Sequence, residues 1–176
     1  GSQWTWRPGA SEVEALRATK EPVEVDAIRR AGMVATAALA ALLPRVRPGL
    51  SELEVCGMLE RELRQAGSEA HPFPAIVASG ERSALPHARP SGRRLRRGDF
   101  LLLDFGATVD GYVSDITRTM VLGPPSEAQK DQHALVATAQ EAAFAGLRAG
   151  MTGKAADALA RGAGARGRSH RPHSRR

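Results

Sequence analysis

The sequence predicts an α+β fold in which two helices precede an antiparallel sheet and two further helices follow it. Three features of the 176-residue chain lead to this prediction. Apolar residues recur at helical spacing over residues 21–66, and a β-rich stretch over residues 100–122 is divided by an Asp-Gly turn. An alanine-rich run then covers residues 126–147. A chain of this length can bury the core of one domain.

Composition divides the chain into three parts. Residues 1–18 combine tryptophan, proline and glycine with an acidic-aliphatic stretch, and we interpret them as a linker that leads into the domain, with Gly1-Ser2 as the remnant of a tag. Residues 19–161 carry the apolar periodicity of the folded domain. Residues 162–176 are rich in glycine and arginine, and we expect a disordered basic tail that buries too little to offset its ordering entropy.

Capping signals define the two N-terminal helices. The first is predicted to begin at Glu21-Pro22, because proline fits a first helical turn and acids favour the N-terminal dipole, and to end before Pro44. Ser51 and Glu54 form the capping box of the second helix, which ends near Ala66-Gly67. The apolar positions of this second helix recur every four residues, at Val55, Leu59 and Leu63.

The predicted sheet contains a strand at residues 71–79, followed by a long loop over residues 80–97. Residues 100–108 and 112–122 then form a hairpin. Asp110-Gly111 occupies its turn, and this dipeptide is favoured in a two-residue type I′ turn because both central positions need positive φ. The turn therefore predicts the register of the whole hairpin.

That register places two acids together. It pairs Asp104 with Thr117 and Gly106 with Asp115, and because side chains alternate along a strand, all four lie on one face. Asp104 and Asp115 are then diagonal neighbours about 7 Å apart, and Gly106 has no side chain to fill the space between them. Two such acids repel unless a cation lies between them or one is protonated. They form a candidate cation site, and the alternative is a pair of solvated acids on an exposed hairpin face.

Two helices are predicted after the sheet. The Gly-Pro-Pro turn at residues 123–125 closes the last strand, and the third helix begins at Ser126 and ends at Leu147. The fourth helix begins near Thr152 or Gly153 and reaches about Ala160.

Charge and cysteine content limit the function classes. Six arginines in residues 161–176 account for the whole net charge of +6, so nucleic-acid binding is limited to non-specific contacts of this tail. The lone Cys56 cannot form an internal disulfide, which indicates a reducing, cytoplasmic location. We expect Cys56 to pack beside the apolar positions of the second helix. No run of about 18 apolar residues is present, so we expect no membrane-spanning helix. The N-terminus lacks a basic region followed by an apolar core, so we expect no signal peptide.

Two motifs carry a family resemblance. The segment DFGATVDGYVSDITRT, preceded by SGERSALPHARPSGRRLRRGD, resembles the pita-bread metallopeptidases, which include methionine aminopeptidase, Xaa-Pro aminopeptidase and Xaa-Pro dipeptidase (prolidase). The SDITRT form, with the Gly-Pro-rich turn and alanine-rich helix that follow it, is more similar to the Xaa-Pro branch. The resemblance covers about residues 12–161 and implies a partial pita-bread fold, of the creatinase/aminopeptidase type.

The resemblance also implies roles for three residues. Asp104 and Asp115 match the first two ligands of a two-metal site, and His87 in the LPH motif matches a catalytic histidine that binds substrate or moves protons. The implied reaction is hydrolysis of a peptide with proline in second position by a metal-activated water. Hard carboxylate ligands suit two manganese ions, with cobalt, zinc and iron as alternatives.

The sequence departs from the family in its second half. In the family, three further metal ligands, one histidine and two glutamates, come from the second half of the domain. No segment of this sequence resembles that half. We therefore expect an incomplete site in which metal binding is weak or absent, and we interpret the basic tail as the product of a truncated or frameshifted reading frame. The alternative function is a non-catalytic half-domain that forms a homo-oligomer or binds a partner chain.

Overall fold

The computed structural model describes the backbone of residues 11–169 and the side-chain environments of residues 11–163. The chain divides into two compact units, Gly1–Leu122 and Gly123–Arg176. The predicted α+β class is confirmed. The helices are α1 (Glu12–Ala18), α2 (Pro22–Leu42), α3 (Glu52–Gln65), α4 (Glu127–Gly146) and α5 (Gly153–Ser169). The strands are β1 (Ile76–Ser79), β2 (Phe100–Phe105), β3 (Thr108–Val109), β4 (Tyr112–Val113) and β5 (Ile116–Val121). Short 3₁₀ turns cover Leu43–Arg45 and Gly80–Ala84.

The capping boxes fix where the main helices begin. Ser51 Oγ accepts from the amide of Glu54 at 3.1 Å, and the Glu54 carboxylate accepts from the amide of Ser51 at 2.6 Å, as predicted. α2 begins at Pro22, with Glu21 as its N-cap. Each helix therefore satisfies first-turn amides that would otherwise lack partners.

The register predicted for the hairpin is confirmed, but its strands are interrupted. Val109 pairs with Tyr112 and Asp104 pairs with Thr117, and both residues of the turn have positive φ, 50° at Asp110 and 74° at Gly111. The ladder nevertheless divides into a sheet of order β1-β2-β5 and a separate sheet of β3 and β4. The predicted continuous hairpin was wrong at this point.

Ser114 explains the interruption. Its hydroxyl accepts from the amide of Ala107 at 3.0 Å, in place of a backbone carbonyl of the strand ladder. The same hydroxyl donates to the carbonyl of Ala31 in α2 at 3.1 Å, which connects the hairpin to the helix. Gly106 lies against the Ser114 carbonyl: a Cβ atom built on Gly106 would be 2.0 Å from that oxygen and 2.8 Å from Pro72 Cγ. The lack of a side chain at Gly106 thus allows the Ser114 backbone and the Pro72 ring to pack against it. We expected an open space between the two acids at this position, and the structure has none.

The core of the first unit lies between one face of the β1-β2-β5 sheet and helices α2 and α3. Alternate residues of β2 point into it, and the predicted stripe of α3 faces them. Its largest members are fully buried: Leu101, Leu103, Phe105, Val55, Leu59, Leu63 and Leu42. α2 contributes the small side chains Ala31, Ala35 and Ala38, which allow close packing.

One helical stretch among the described residues, Pro22–Arg45, is long and apolar enough to cross a membrane by length and composition. This criterion uses length and mean hydropathy, which the core helix of a globular domain also meets, so the expectation of no membrane-spanning helix stays a prediction. The alanine-rich face of this stretch is buried in the core, and Asp26, Arg29 and Arg30 form exposed ion pairs on another face. This is the pattern of an amphipathic core helix.

The second unit is an antiparallel pair formed by α4 and α5. Gly146 allows the close approach, since a Cβ atom there would be 2.6 Å from Leu159 Cδ1. α5 continues to Ser169, so its backbone extends into the segment from residue 162 onward for which we expected a disordered tail. Once a helix is nucleated, each added residue gains a backbone hydrogen bond, and alanine and arginine favour this growth. The last seven positions of the predicted tail, 170–176, lie outside the described residues.

The start of β2 is held by an ion pair that should make stability depend on pH. Asp99 accepts from Arg93 Nη1 at 2.6 Å and from the amide of Arg96 at 2.9 Å, and the Arg93 hydrogen bond holds the pKa of Asp99 below its ordinary value. A depressed carboxyl pKa contributes stability above the ordinary pKa of Asp, and this contribution is lost as the pH falls through the lower, folded-state pKa.

We expect Asp99→Asn to lower the free energy of unfolding at neutral pH by about 1.5–3 kcal/mol, the usual range for a hydrogen bond to a charged group. The difference from the wild type should shrink in acid, because protonation removes the same charge. Urea denaturation at neutral and acidic pH measures it. Asp26→Asn is the control, since the exposed Asp26 pairs should contribute less than about 1 kcal/mol. A pH-independent difference for Asp99→Asn would contradict the prediction.

Candidate active site

A cavity of about 730 Å³ brings the three predicted site residues together. His87 reaches it from the loop between β1 and β2, Asp104 from β2, and Asp115 from the residue before β5. The remaining wall is largely apolar, with two polar side chains from α3 and one arginine. It is formed by Leu53, Cys56, Gly57, Glu60, Phe73, Pro74, Ala75, Ile76, Ala88, Arg89 and Pro90.

The two acids interact with each other directly. Loss of hydration raises the pKa of the Asp115 carboxyl, and the charge and hydrogen bond of Asp104 raise it further. Across the ladder, the Thr117 hydroxyl donates to Asp104 Oδ1 at 3.0 Å. The pair therefore differs from two independent solvated acids. Thr117 orients Asp104 Oδ1, and the charge of Asp104 disfavours ionisation of Asp115.

His87 lies on an exposed turn of the loop. Pro86 precedes it, and the next residue, Ala88, is buried at 5% exposure, with its amide directed to the carbonyl of Leu85 at 3.4 Å. Burial of Ala88 fixes the backbone on one side of the histidine, while the imidazole borders the cavity. A loop held by a rigid scaffold is a usual place for a functional side chain.

The donors that the described residues bring together are few. Among residues 11–163, whose side chains the structure describes, no three side chains of His, Cys, Asp or Glu converge closely enough to hold a metal ion. Asp104 and Asp115 are a pair of carboxylates, and His87 borders the same cavity without joining them as a third donor. The oxygens of this pair are hard donors of the kind that divalent cations prefer.

Cys56 and Glu60 are cavity residues that the sequence did not predict. The Cys56 thiol lies 3.6 Å from Glu60 Oε1, one helical turn away. Burial raises the pKa of Cys56 to about 12, and the Glu60 charge and hydrogen bond act in the same direction. The i, i+4 spacing beside the apolar stripe could have indicated that the two side chains touch, although not which cavity they border.

The Cys56 thiol should be unreactive in the folded chain. We expect iodoacetamide to alkylate it at least about 100-fold more slowly at mildly alkaline pH than in the urea-unfolded chain, because the thiolate is the nucleophile and its fraction falls with the raised pKa. Mass spectrometry over time gives both rates. Glu60→Gln should speed the reaction by removing a neighbouring charge. Equal rates in the folded and unfolded chain would show that the thiol is not protected.

A comparison with protein families matches residues 26–174 to the description "Metallopeptidase family M24". The match passes Arg161, where we expected the resemblance to end. Among curated relatives, an uncharacterized peptidase, YqhT, of Bacillus subtilis is 43% identical over 154 residues, which are 88% of this chain and 44% of the relative. The Xaa-Pro dipeptidase of Pyrococcus furiosus is 39% identical over 149 residues, or 85% of this chain and 43% of that protein.

Solved structures agree with the fold. The X-Pro aminopeptidase from Thermotoga maritima superposes with a TM-score of 0.85 at 40% identity, over 87% of this chain and 43% of the other. The prolidase from Pyrococcus furiosus gives 0.82 at 38% identity, over 86% and 45%. The chain thus has part of the pita-bread fold and spans less than half the length of the curated relatives and solved structures named here.

Proposed function

Because this chain belongs to metallopeptidase family M24, we propose that its paired aspartates form part of the active site of a metal-dependent exopeptidase of the Xaa-Pro dipeptidase or Xaa-Pro aminopeptidase type. The observation that carries the proposal is the Asp104–Asp115 pair at one wall of the cavity, with His87 bordering the same space. Relatives named as a Xaa-Pro dipeptidase and an X-Pro aminopeptidase support the substrate class, a peptide with proline in second position.

The donor set fits a divalent cation. Loss of hydration raises the pKa of Asp115, and the charge of Asp104 raises it further, because the two carboxylates repel each other when both are ionised. A cation between them removes this repulsion without a proton. Asp104 and Asp115 would hold the metal, and manganese is the metal we propose, because both donors are hard oxygens. Two carboxylates alone make a weak, hydrated site, so tight binding requires donors beyond this pair.

Each side chain has a distinct task in this proposal. The chemistry that divalent ions supply in such sites is activation of water and polarisation of the scissile carbonyl. Thr117 orients Asp104 by donating to Oδ1. The His87 imidazole moves or holds a proton of the substrate. Phe73, Pro74 and Ile76 form an apolar wall against which a proline ring can pack.

A metal and turnover assay tests the proposal. The purified chain is titrated with Mn²⁺ and, with the metal still present, is given a dipeptide with proline in second position. We expect weak manganese binding and release of the first residue, both above the level of the Asp104→Ala/Asp115→Ala double variant. A wild-type chain that binds no manganese and turns over no faster than the double variant would overturn the proposal. The lone cysteine supports a reducing cytoplasmic setting, so the assay uses reducing buffer.

A second candidate is a non-catalytic half-domain that associates with another copy or a partner chain. Helix α4 favours it, because none of its residues is buried, and Phe144 and Val136 are 72% and 67% exposed. Exposed apolar side chains of this size promote association. Sedimentation velocity over a range of concentrations decides: a concentration-dependent dimer supports this candidate, and a monomer at all concentrations counts against self-association.

A further inference from the structure

We propose that Glu52, the first residue of α3, is a positioning residue that fixes the cavity-lining loop and with it His87. The loop between β1 and β2 contributes four consecutive cavity residues, His87 to Pro90. Apart from the short 3₁₀ turn Gly80–Ala84 and an isolated bridge from Arg94 to Ser51, it has no regular backbone pairing among the described residues. Its conformation must therefore come from side-chain contacts and from single backbone hydrogen bonds outside a strand ladder.

The Glu52 carboxylate supplies those contacts at both ends of the loop. It is completely buried, at 0% exposure. Oε1 accepts from the amide and the hydroxyl of Ser79, each at 2.8 Å, at the end of β1. Oε2 accepts from the amide of Ser91 at 3.1 Å and from its hydroxyl at 2.6 Å, at the other end of the loop. A single carboxylate thus joins two points of the loop that are twelve positions apart in the sequence.

Arg82 extends this connection to the cavity. Its Nε donates to Glu52 Oε2 at 3.1 Å, and its Nη2 donates to the carbonyl of Arg89 at 2.6 Å. Arg89 borders the cavity two residues after His87. The buried charge is thereby linked, through one guanidinium, to the backbone of the cavity wall.

The backbone of α3 acts on the same segment. The Glu52 amide donates to the carbonyl of Arg93 at 3.0 Å, and the Leu53 amide donates to the carbonyl of Ser91 at 3.1 Å. First-turn amides of a helix have no partner within the helix, and here the loop provides one. Glu52 therefore forms hydrogen bonds to the loop through both its backbone amide and its carboxylate.

The donors around Glu52 favour the ionised form of its carboxylate. Burial alone would raise the pKa of Glu52, but the hydrogen bonds from Ser91, Ser79 and Arg82 outweigh it, and the pKa lies below the ordinary value. A charged acceptor with several donors forms stronger hydrogen bonds than a neutral one. Glutamine at this position would keep the size of the side chain but could not accept at both terminal atoms.

The inference rests on the proposed function only for the role of His87; the fixing of the loop stands independently of it. Glu52 could instead contribute only to global stability. The two roles differ in where the structure opens. A positioning role predicts local opening of residues 80–93 while the core stays closed, and a purely structural role predicts equal changes everywhere.

The test compares Glu52→Gln with Glu62→Gln in the full chain. Glu62 is a matched control, because it lies on the same helix, is 9% exposed and pairs with Arg45, away from the loop. In Glu52→Gln, we expect hydrogen exchange of residues 80–93 to be at least about tenfold faster, with α3 and β2 core amides unchanged, and the His87 imidazole NMR signal to shift. Glu62→Gln should do neither. Exchange that rises equally in loop and core, or an unmoved loop and His87 signal, overturns the inference.

A milder variant covers the case in which Glu52→Gln does not fold. Ser91→Ala removes one hydroxyl donor and keeps the Arg82 ion pair, so it should open residues 87–93 alone. An unchanged loop in Ser91→Ala would then overturn the inference. Manganese binding by the wild type is measured in parallel. If the wild type binds no manganese but its loop depends on Glu52, the proposed function is rejected and this inference stands. If the wild type binds manganese but its loop does not depend on Glu52, this inference is rejected and the proposed function stands.

Discussion

Replacing Gly106 with alanine is expected to destabilise the chain by about 3 kcal/mol, at the upper end of the usual cost of overpacking. The added Cβ atom would lie 2.0 Å from the Ser114 carbonyl oxygen and 2.8 Å from Pro72 Cγ. The first of these is a backbone atom, so it can move only if the hairpin moves. Ser114 directly precedes Asp115, and any shift of this strand therefore also moves one of the paired acids away from the other.

Gly32→Ala is the matched control for this prediction. Gly32 lies inside α2, and nothing is within 4 Å of a Cβ atom built there. Alanine in a helix interior is favoured over glycine by about 0.5–1 kcal/mol, so this variant should be more stable than the wild type. Urea denaturation of both variants measures the two opposite effects. A Gly106→Ala chain as stable as the wild type would mean that the hairpin does not hold the close approach described here.

Asp115→Asn is expected to have opposite effects in the presence and absence of metal. Without metal, the variant should be more stable than the wild type, because it replaces a carboxylate whose pKa is raised by loss of hydration and by the charge of Asp104. With Mn²⁺, the wild type should gain stability by binding, about 2.7 kcal/mol at a free concentration 100 times the dissociation constant. The variant should lose most of this gain. We expect its affinity to fall at least about 100-fold, since outer-shell changes alone cost 10–100-fold.

Thermal denaturation in chelator and in a manganese series gives both quantities. Asp110→Asn is a suitable control, because Asp110 lies on the same hairpin, its side chain pairs with the exposed Arg30, and asparagine tolerates the positive φ of 50° there. It should bind manganese like the wild type. If manganese stabilises Asp115→Asn as much as the wild type, the paired aspartates are not the metal ligands.

Much of the local structure followed from short-range chemistry. The Asp-Gly turn predicted the pairing of Asp104 with Thr117, which the structure confirms. The capping box at Ser51 predicted the start of α3, and the four-residue spacing of Val55, Leu59 and Leu63 predicted its buried stripe. Each of these depends on residues within about one turn or one hairpin, where local geometry leaves few alternatives.

The features that were missed depend on partners distant in the sequence. The hairpin is interrupted because the Ser114 hydroxyl bonds to Ala31, 83 positions earlier. In the sequence, Glu52 looks like an ordinary acid in a first helical turn. In the fold it is completely buried, and its hydrogen-bond partners Ser79 and Ser91 lie 27 and 39 positions away. Residues 162–169 are a local exception: they lack apolar periodicity, but they continue the helix that begins at Gly153.

The sequence by itself determined the α+β class, the main helix starts, the register of the hairpin and, through its motifs, the family to which the chain belongs. Only the tertiary structure decided that His87 borders the same cavity as the paired aspartates, and that a buried carboxylate on α3 holds the loop that carries it. The physical reason is the range of the interactions. Turns, caps and periodicity are fixed by neighbours in the chain, whereas a cavity wall and a buried charge exist only when distant segments supply the matching donors.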